Sequence, residues 1–145
     1  MYNYLLIPTD GSSIADRAVD AGIALAARLG ARVYGFHVIV PLPPVACLGD
    51  VVVVNEDALA AKATENARAY LDELRRRAQA AGVPCDTGFV RAARPHEAIA
   101  AEAVRRGCDL IVMGTHGWRG FDRLLLGSET HKLILESHAP VLVVH

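Results

Sequence analysis

Four times along 145 residues, a short, almost unbroken apolar run gives way to a longer stretch whose apolar residues recur every three or four positions. A fifth apolar run closes the chain. The runs are Tyr4-Leu5-Leu6-Ile7, reaching a strand end at Asp10, then Arg32 to Ile39, Cys85 to Val90, Asp109-Leu110-Ile111-Val112-Met113, and Val141-Leu142-Val143-Val144. The third is the least apolar. Runs of this length without polar alternation suit strands covered on both faces. Between the first two, Ser12 or Ser13 can cap a helix, with Asp16 in a capping-box position after Ser13. Ala18, Ala21, Leu25 and Leu29 carry its apolar stripe to Gly30. Asn55 can cap a second helix with Glu56 and Asp57 in its first turn. Its stripe is Leu59, Ala63, Tyr70, Leu74, Ala78 and Ala81, ending at Gly82. Pro95 opens a third helix with Ile99, Ala100, Ala103 and Val104, ending at Gly107, and Ser128 to Ser137 reads as a fourth. The order βαβαβαβαβ predicts an α/β fold, a doubly wound parallel five-stranded sheet with helices on both faces. Residues 41–55, with Pro41, Pro43 and Pro44, read as an irregular excursion.

This length suits one domain, residues 1–145, with a core of its own. Lys+Arg 15 against Asp+Glu 16 gives a net charge of −1 and no long basic run, which offers neither nucleic acid nor an anionic membrane an electrostatic footprint. Cys47, Cys85 and Cys108 are odd in number and lack CxxC spacing, so reduced thiols in a cytoplasmic chain are expected. The N-terminus has no basic n-region, and the longest apolar region, Val38 to Val54, is broken by three prolines and Asp50. A soluble chain without a membrane span is expected.

One junction stands apart from this regular alternation. Gly114-Thr115-His116-Gly117, nine residues, then Gly127-Ser128 puts spaced glycines and a hydroxyl between the fourth strand and the last helix. Backbone N–H groups there can converge on an anion, and the helix adds unpaired donors and a positive dipole end. The same glycines would equally serve a loop that only turns. In a doubly wound sheet, ligands bind beyond the carboxyl ends of the strands where the winding reverses. Asp10 stands at such an end, so an acidic side chain and a phosphate loop would face each other if strands one and four are neighbours. Asp10-Gly11 is also an ordinary turn pair.

Other motifs narrow the chemistry. GxxxxGK[ST], GxGxxG after strand one and GxSxG are all absent, and no paired carboxylates have an enforced spacing. His131 and His138 are two helical turns apart, and His96-Glu97 lacks a second histidine because position 100 is Ala, so no metal site is expected. His37 reads as a packed strand residue. Ser12 and Ser13 read as caps rather than nucleophiles. Arg119 and Arg123 have the forked donors of a phosphate clamp but the setting of solvated loop residues. Trp118 could cover a ligand or anchor the surface, and Lys132 has a weak case as a phosphate partner.

Pro8-Thr9-Asp10-Gly11-Ser12, Phe36-His37-Val38, the two glycine segments, Leu124-Leu125-Leu126 before Gly127, and Ala139-Pro140 before the last strand together resemble the universal stress protein family over the whole chain. The spacing G-x2-G-x9-G-S resembles its nucleotide-binding branch. The resemblance implies strand order 3-2-1-4-5 and a site for ATP, or for ADP or AMP, with or without Mg2+. It implies that Asp10 bonds the ribose or adenine side, that Pro8 and Thr9 belong to the nucleotide site, and that the backbone around Val38 meets adenine. It further implies that Gly114, Gly117, Gly127 and Ser128 hold phosphates, with Met113, Thr115 and His116 lining the pocket. Glu129 occupies a position where the family has a small or apolar residue; its N–H can donate, but its carboxylate would repel phosphate unless it points outward or meets a metal ion. Arg94 stands where an acidic cap is common. The resemblance also implies a homodimer through Val141–Val144, with a cytosolic regulatory, stress-response role. The other readings are a slow ATPase or nucleotidyl-transferring enzyme, and a nucleotide-free dimeric interaction module.

Overall fold

A computed structural model describes residues 1–41, 55–115 and 127–145. The strands are β1 (Tyr4–Pro8), β2 (Arg32–Ile39), β3 (Cys85–Arg91), β4 (Leu110–Gly114) and β5 (Val141–Val144). They alternate with α1 (Ser13–Leu29), α2 (Glu56–Ala80), α3 (Pro95–Arg106) and α4 (Ser128–Glu136). All strand pairings are parallel, and the sheet order is β3-β2-β1-β4-β5. Strands one and four are therefore neighbours, in the register Leu5 opposite Leu110 and Leu6 opposite Ile111.

Side chains alternate across the strands, so each strand feeds two cores. Leu5, Ile7, Val33, Leu110 and Val112 meet Val19, Ile23 and Ala26 of α1 and Leu74 and Ala78 of α2. Tyr4, Leu6, Tyr34, Phe36, Val38, Ile111 and Met113 meet Ile99 and Ala103 of α3 and Leu133 of α4. Each fully buried aliphatic side chain contributes roughly 1.5–3 kcal/mol, which explains why strands read as continuous apolar runs. The exception is β3, an edge strand whose side chains are mostly half-buried or exposed, and whose sequence is correspondingly the most polar. The opposite edge is β5, where Leu142 is 41% exposed. Among the described residues no helix is long and apolar enough to cross a membrane.

Several boundaries differ from the sequence reading, each for a local reason. β1 stops at Pro8 rather than running to Asp10, because Asp10 Oδ1 accepts the Ser12 N–H at 2.9 Å and bends the chain. Ser12 is the cap of α1, its Oγ accepting the Ala15 N–H at 3.2 Å. Asp16 is then one position too far along for a capping box, and its carboxylate lies 3.5 Å from Arg77 of α2. Asp109 precedes β4 instead of opening it: its two carboxylate oxygens accept the N–H groups of Asn3 and Tyr4 at 2.8 and 3.0 Å, tying the start of β4 to that of β1. Most of the excursion expected at residues 41–55, with Cys47, lies outside the described residues.

Candidate functional site

The ends of β1 and β4 lie side by side at the carboxyl edge of the sheet. At the β1 end the buried Thr9 donates its N–H to Phe36 O at 2.9 Å, and its Oγ1 accepts the Gly11 N–H. Gly11 has φ +75, and a Cβ there would run into the Tyr70 ring of α2. Glycine is required twice over, for the left-handed turn and for the approach of Tyr70. His37 lies 7% exposed with Nδ1 2.7 Å from Thr9 O, and its ring meets Tyr70 edge-on at 5.5 Å between centroids. A carbonyl only accepts, so Nδ1 carries the hydrogen. Burial lowers the pKa of His37, opposed by the Thr9 carbonyl and the Asp10 charge. His37 is therefore a packed residue, as expected, and it also anchors the turn that carries Asp10.

Val38 is 1% exposed. Backbone polar groups of a strand alternate between its two neighbours. Val33 donates toward β3 through Pro84 O, while Phe36 accepts from Thr9 on the β1 side. Val38, two residues past Phe36, turns its N–H and C=O to the β1 side, beyond the last paired residues, Pro8 and Phe36.

At the β4 end Met113, Gly114 and Thr115 are all buried. A Cβ on Gly114 would stand 2.6 Å from Ile14 Cγ2 and 2.9 Å from Ile14 O. The residue that the motif offers to a phosphate is thus also demanded by packing against the first turn of α1. Thr115 donates its N–H to Val144 O, and Thr115 O accepts the Gly127 N–H at 2.8 Å. Gly127 N–H therefore pins the two ends of the glycine segment together, a role that spacing could not reveal. Thr130 Oγ1 donates to Gly114 O at 3.0 Å, 1% exposed, and locks α4 onto β4. His116 and Gly117, with Trp118, Arg119 and Arg123, lie outside the described residues.

Gly127 is also the N-cap of α4, and having no side chain it makes no side-chain cap. The first-turn N–H groups of Ser128 and Glu129 thus receive no capping acceptor from it, at the positive end of the helix dipole. Glu129 does not direct its carboxylate at them. Oε2 accepts the backbone N–H of His96 at 3.0 Å and its ring Nδ1 at 2.7 Å, while Lys132 approaches Oε1 at 3.7 Å. Burial raises the Glu129 pKa, but the two His96 hydrogen bonds, the imidazole charge and Lys132 outweigh it and hold the carboxyl below its ordinary value. Arg94, the N-cap of α3, makes no side-chain cap either. Glu129 of α4 thus supplies the acceptor that Arg94 fails to supply to α3. His96, Tyr70 and Thr130 escaped the sequence reading as parts of this region. For Tyr70 the only signal is the glycine it faces, 59 positions away in the chain.

The universal stress protein family model matches residues 1–145. A universal stress protein of Methanocaldococcus jannaschii is 32% identical over 144 residues, covering 99% of this chain and 82% of that protein. One from Thermus aquaticus is 37% identical over 144 residues, covering 99% of each. Among solved structures, a universal stress protein in complex with cAMP superposes with a TM-score of 0.74 at 28% identity, covering 99% of this chain and 97% of that one. With its strand order, its neighbouring β1 and β4 and its whole-length match, this chain belongs to the universal stress protein family.

Proposed function

We propose that this protein binds an adenine nucleotide, ATP in the first instance, in the crevice between the ends of β1 and β4, and acts as a cytosolic regulatory protein of the stress response. The observation that carries the reading is the side-chain-free N-cap of α4 at Gly127, whose helix presents first-turn N–H groups to an anion. Asp10, at the neighbouring strand end, takes the ribose or adenine side, and the Val38 backbone beyond the end of β1 takes the adenine edge. Glu129 is compatible with phosphate because its charge is turned onto His96. The cAMP complex of a 28%-identical relative supports the ligand class. Mg2+ would offset the charge of a bound tri- or diphosphate, and bound nucleotide would favour one conformation or assembly. The exposed β5 edge, with its ladder groups and Leu142, suits pairing with a second copy, giving a twofold dimer.

The test is a thermal-shift titration with ATP, ADP, AMP and cAMP. At about a hundredfold excess over Kd, binding adds roughly 2.7 kcal/mol, or about 8 °C at roughly 3 °C per kcal/mol for a chain of this size. Gly127→Asp should abolish the shift while slightly raising the melting temperature of the ligand-free protein, because its carboxylate would cap the donors that phosphate uses, a gain of roughly a few tenths of a kcal/mol over glycine. A wild-type protein that none of the four nucleotides stabilises refutes the reading.

A further inference from the structure

The pairing of His96 with Glu129 has a consequence on the far side of the imidazole ring. Glu129 Oε2 accepts from Nδ1, so that nitrogen carries a hydrogen and Nε2 is the ring atom left for other partners. Nε2 lies near two further carboxylates: Glu136 Oε2 of α4 at 3.5 Å and Glu97 Oε1 of α3 at 3.9 Å. The His96 side chain is only 6% exposed, and among the described residues Nε2 makes no hydrogen bond. Three carboxylates around one buried imidazole call for positive charge on the Nε2 side, which either a proton or a metal ion can supply.

We propose that His96, Glu97 and Glu136 form a binding site for a first-row divalent transition metal ion that bridges α3 and α4. Their ligating atoms all lie within 4.8 Å of one another. Tetrahedral ligands at roughly 2.0–2.2 Å from Zn2+ stand roughly 3.3–3.6 Å apart, so Glu136 is already at that separation and Glu97 has to move inward only slightly. Both carboxylates are half exposed, at 50% and 51%, and can rotate at little cost. Arg94, which holds Glu97 Oε1 at 2.7 Å, is itself 71% exposed and forms an ion pair that is weak in water. Glu129 is the outer carboxylate that orients a metal-bound imidazole and raises its basicity. One nitrogen and two carboxylate oxygens favour Zn2+, Co2+ or Mn2+ over Mg2+ and Ca2+, which take oxygen ligands. Three protein ligands leave a fourth position for water or a ligand atom. A single-sequence spacing rule finds no site here because the third ligand comes from another helix, 40 residues after His96.

The test uses the full-length, metal-free protein titrated with ZnCl2 by calorimetry and with CoCl2 by visible absorption, without nucleotide. The expected result is one ion per chain and a tetrahedral Co2+ spectrum. Glu136→Gln, an exposed change that leaves the His96–Glu129 pair intact, should weaken binding at least tenfold with an unchanged circular dichroism spectrum. Glu129→Gln should weaken it roughly 10–100-fold, and His138→Ala should leave it unchanged. Absence of stoichiometric binding to the wild type, or an affinity that Glu136→Gln leaves unaltered, overturns the proposal. The first outcome would mean that a proton on Nε2 is the positive group; the second would put the metal elsewhere.

Discussion

Gly114 belongs to the glycine motif, but its geometry assigns it a cost that has nothing to do with nucleotide. In Gly114→Ala the new Cβ would sit 2.6 Å from Ile14 Cγ2, 2.9 Å from Ile14 O and 3.2 Å from Ile14 C. The side-chain contact can relax by rotation of Ile14, but the two backbone contacts require the first turn of α1 to move away from β4. Overpacking of this kind costs roughly 1–3 kcal/mol, and the backbone component argues for the upper half of that range. Against it stands the smaller conformational entropy of alanine in the unfolded chain, roughly 0.4–1 kcal/mol. The net loss should be about 2 kcal/mol, or about 6 °C in melting temperature, in the absence of any ligand. Urea unfolding of the nucleotide-free protein measures it. The companion Ile14→Ala variant removes the Cγ2 contact but not the backbone ones, so the double variant should recover part of the loss, with a coupling energy of about 1 kcal/mol in the cycle. A Gly114→Ala protein as stable as wild type, or single effects that simply add, would refute the reasoning and leave Gly114 without a packing role.

Two further perturbations follow from local geometry. Ser12→Ala removes the oxygen that accepts the Ala15 N–H and should cost about 1 kcal/mol by denaturant unfolding, whereas Ser13→Ala, already inside α1, should cost only a few tenths. Glu102, 6% exposed on its side chain, is held at about 2 by its hydrogen bond to Arg105 first, with burial opposing and Arg106 and Tyr34 assisting. Its folded pKa lies below its ordinary 4.5, so its contribution is fully present above that value and is lost as pH falls from 4.5 toward about 2. Glu102→Gln should lose about 2 kcal/mol at neutral pH and show a flatter stability profile across that acid window; equal acid slopes in the two proteins would contradict the assignment.

The element order was legible because the three central strands are covered on both faces and every helix on one, so burial writes itself into the chain as runs and stripes. β3 was the least distinct for the same reason in reverse: at the edge of the sheet, Asp86, Thr87 and Arg91 face water or half-water. Element ends were less legible because the groups that set them are side chains acting on backbone atoms. Asp109 was read as a strand residue although its carboxylate serves Asn3 and Tyr4, 106 and 105 positions away. Ser12 and Ser13 are equivalent by type, and only the direction in which the chain leaves the Asp10 turn selects the first as the cap.

The candidate site divides in the same way. The residues themselves determined that a glycine-spaced segment follows a buried strand and opens a helix, and that Asp10 sits in the turn after another strand, because turn chemistry and apolar periodicity are local properties of a chain. Only the tertiary structure decided what those residues are occupied with. Gly127 N–H is taken by Thr115 O, and the space beside Gly114 is taken by Ile14. The carboxylate of Glu129 is turned onto His96, brought to it from the neighbouring helix of the same layer. Whether a carboxylate repels a ligand, caps a neighbour or orients an imidazole depends on which buried polar groups lie within about 3 Å of it, and those come from residues far apart in sequence.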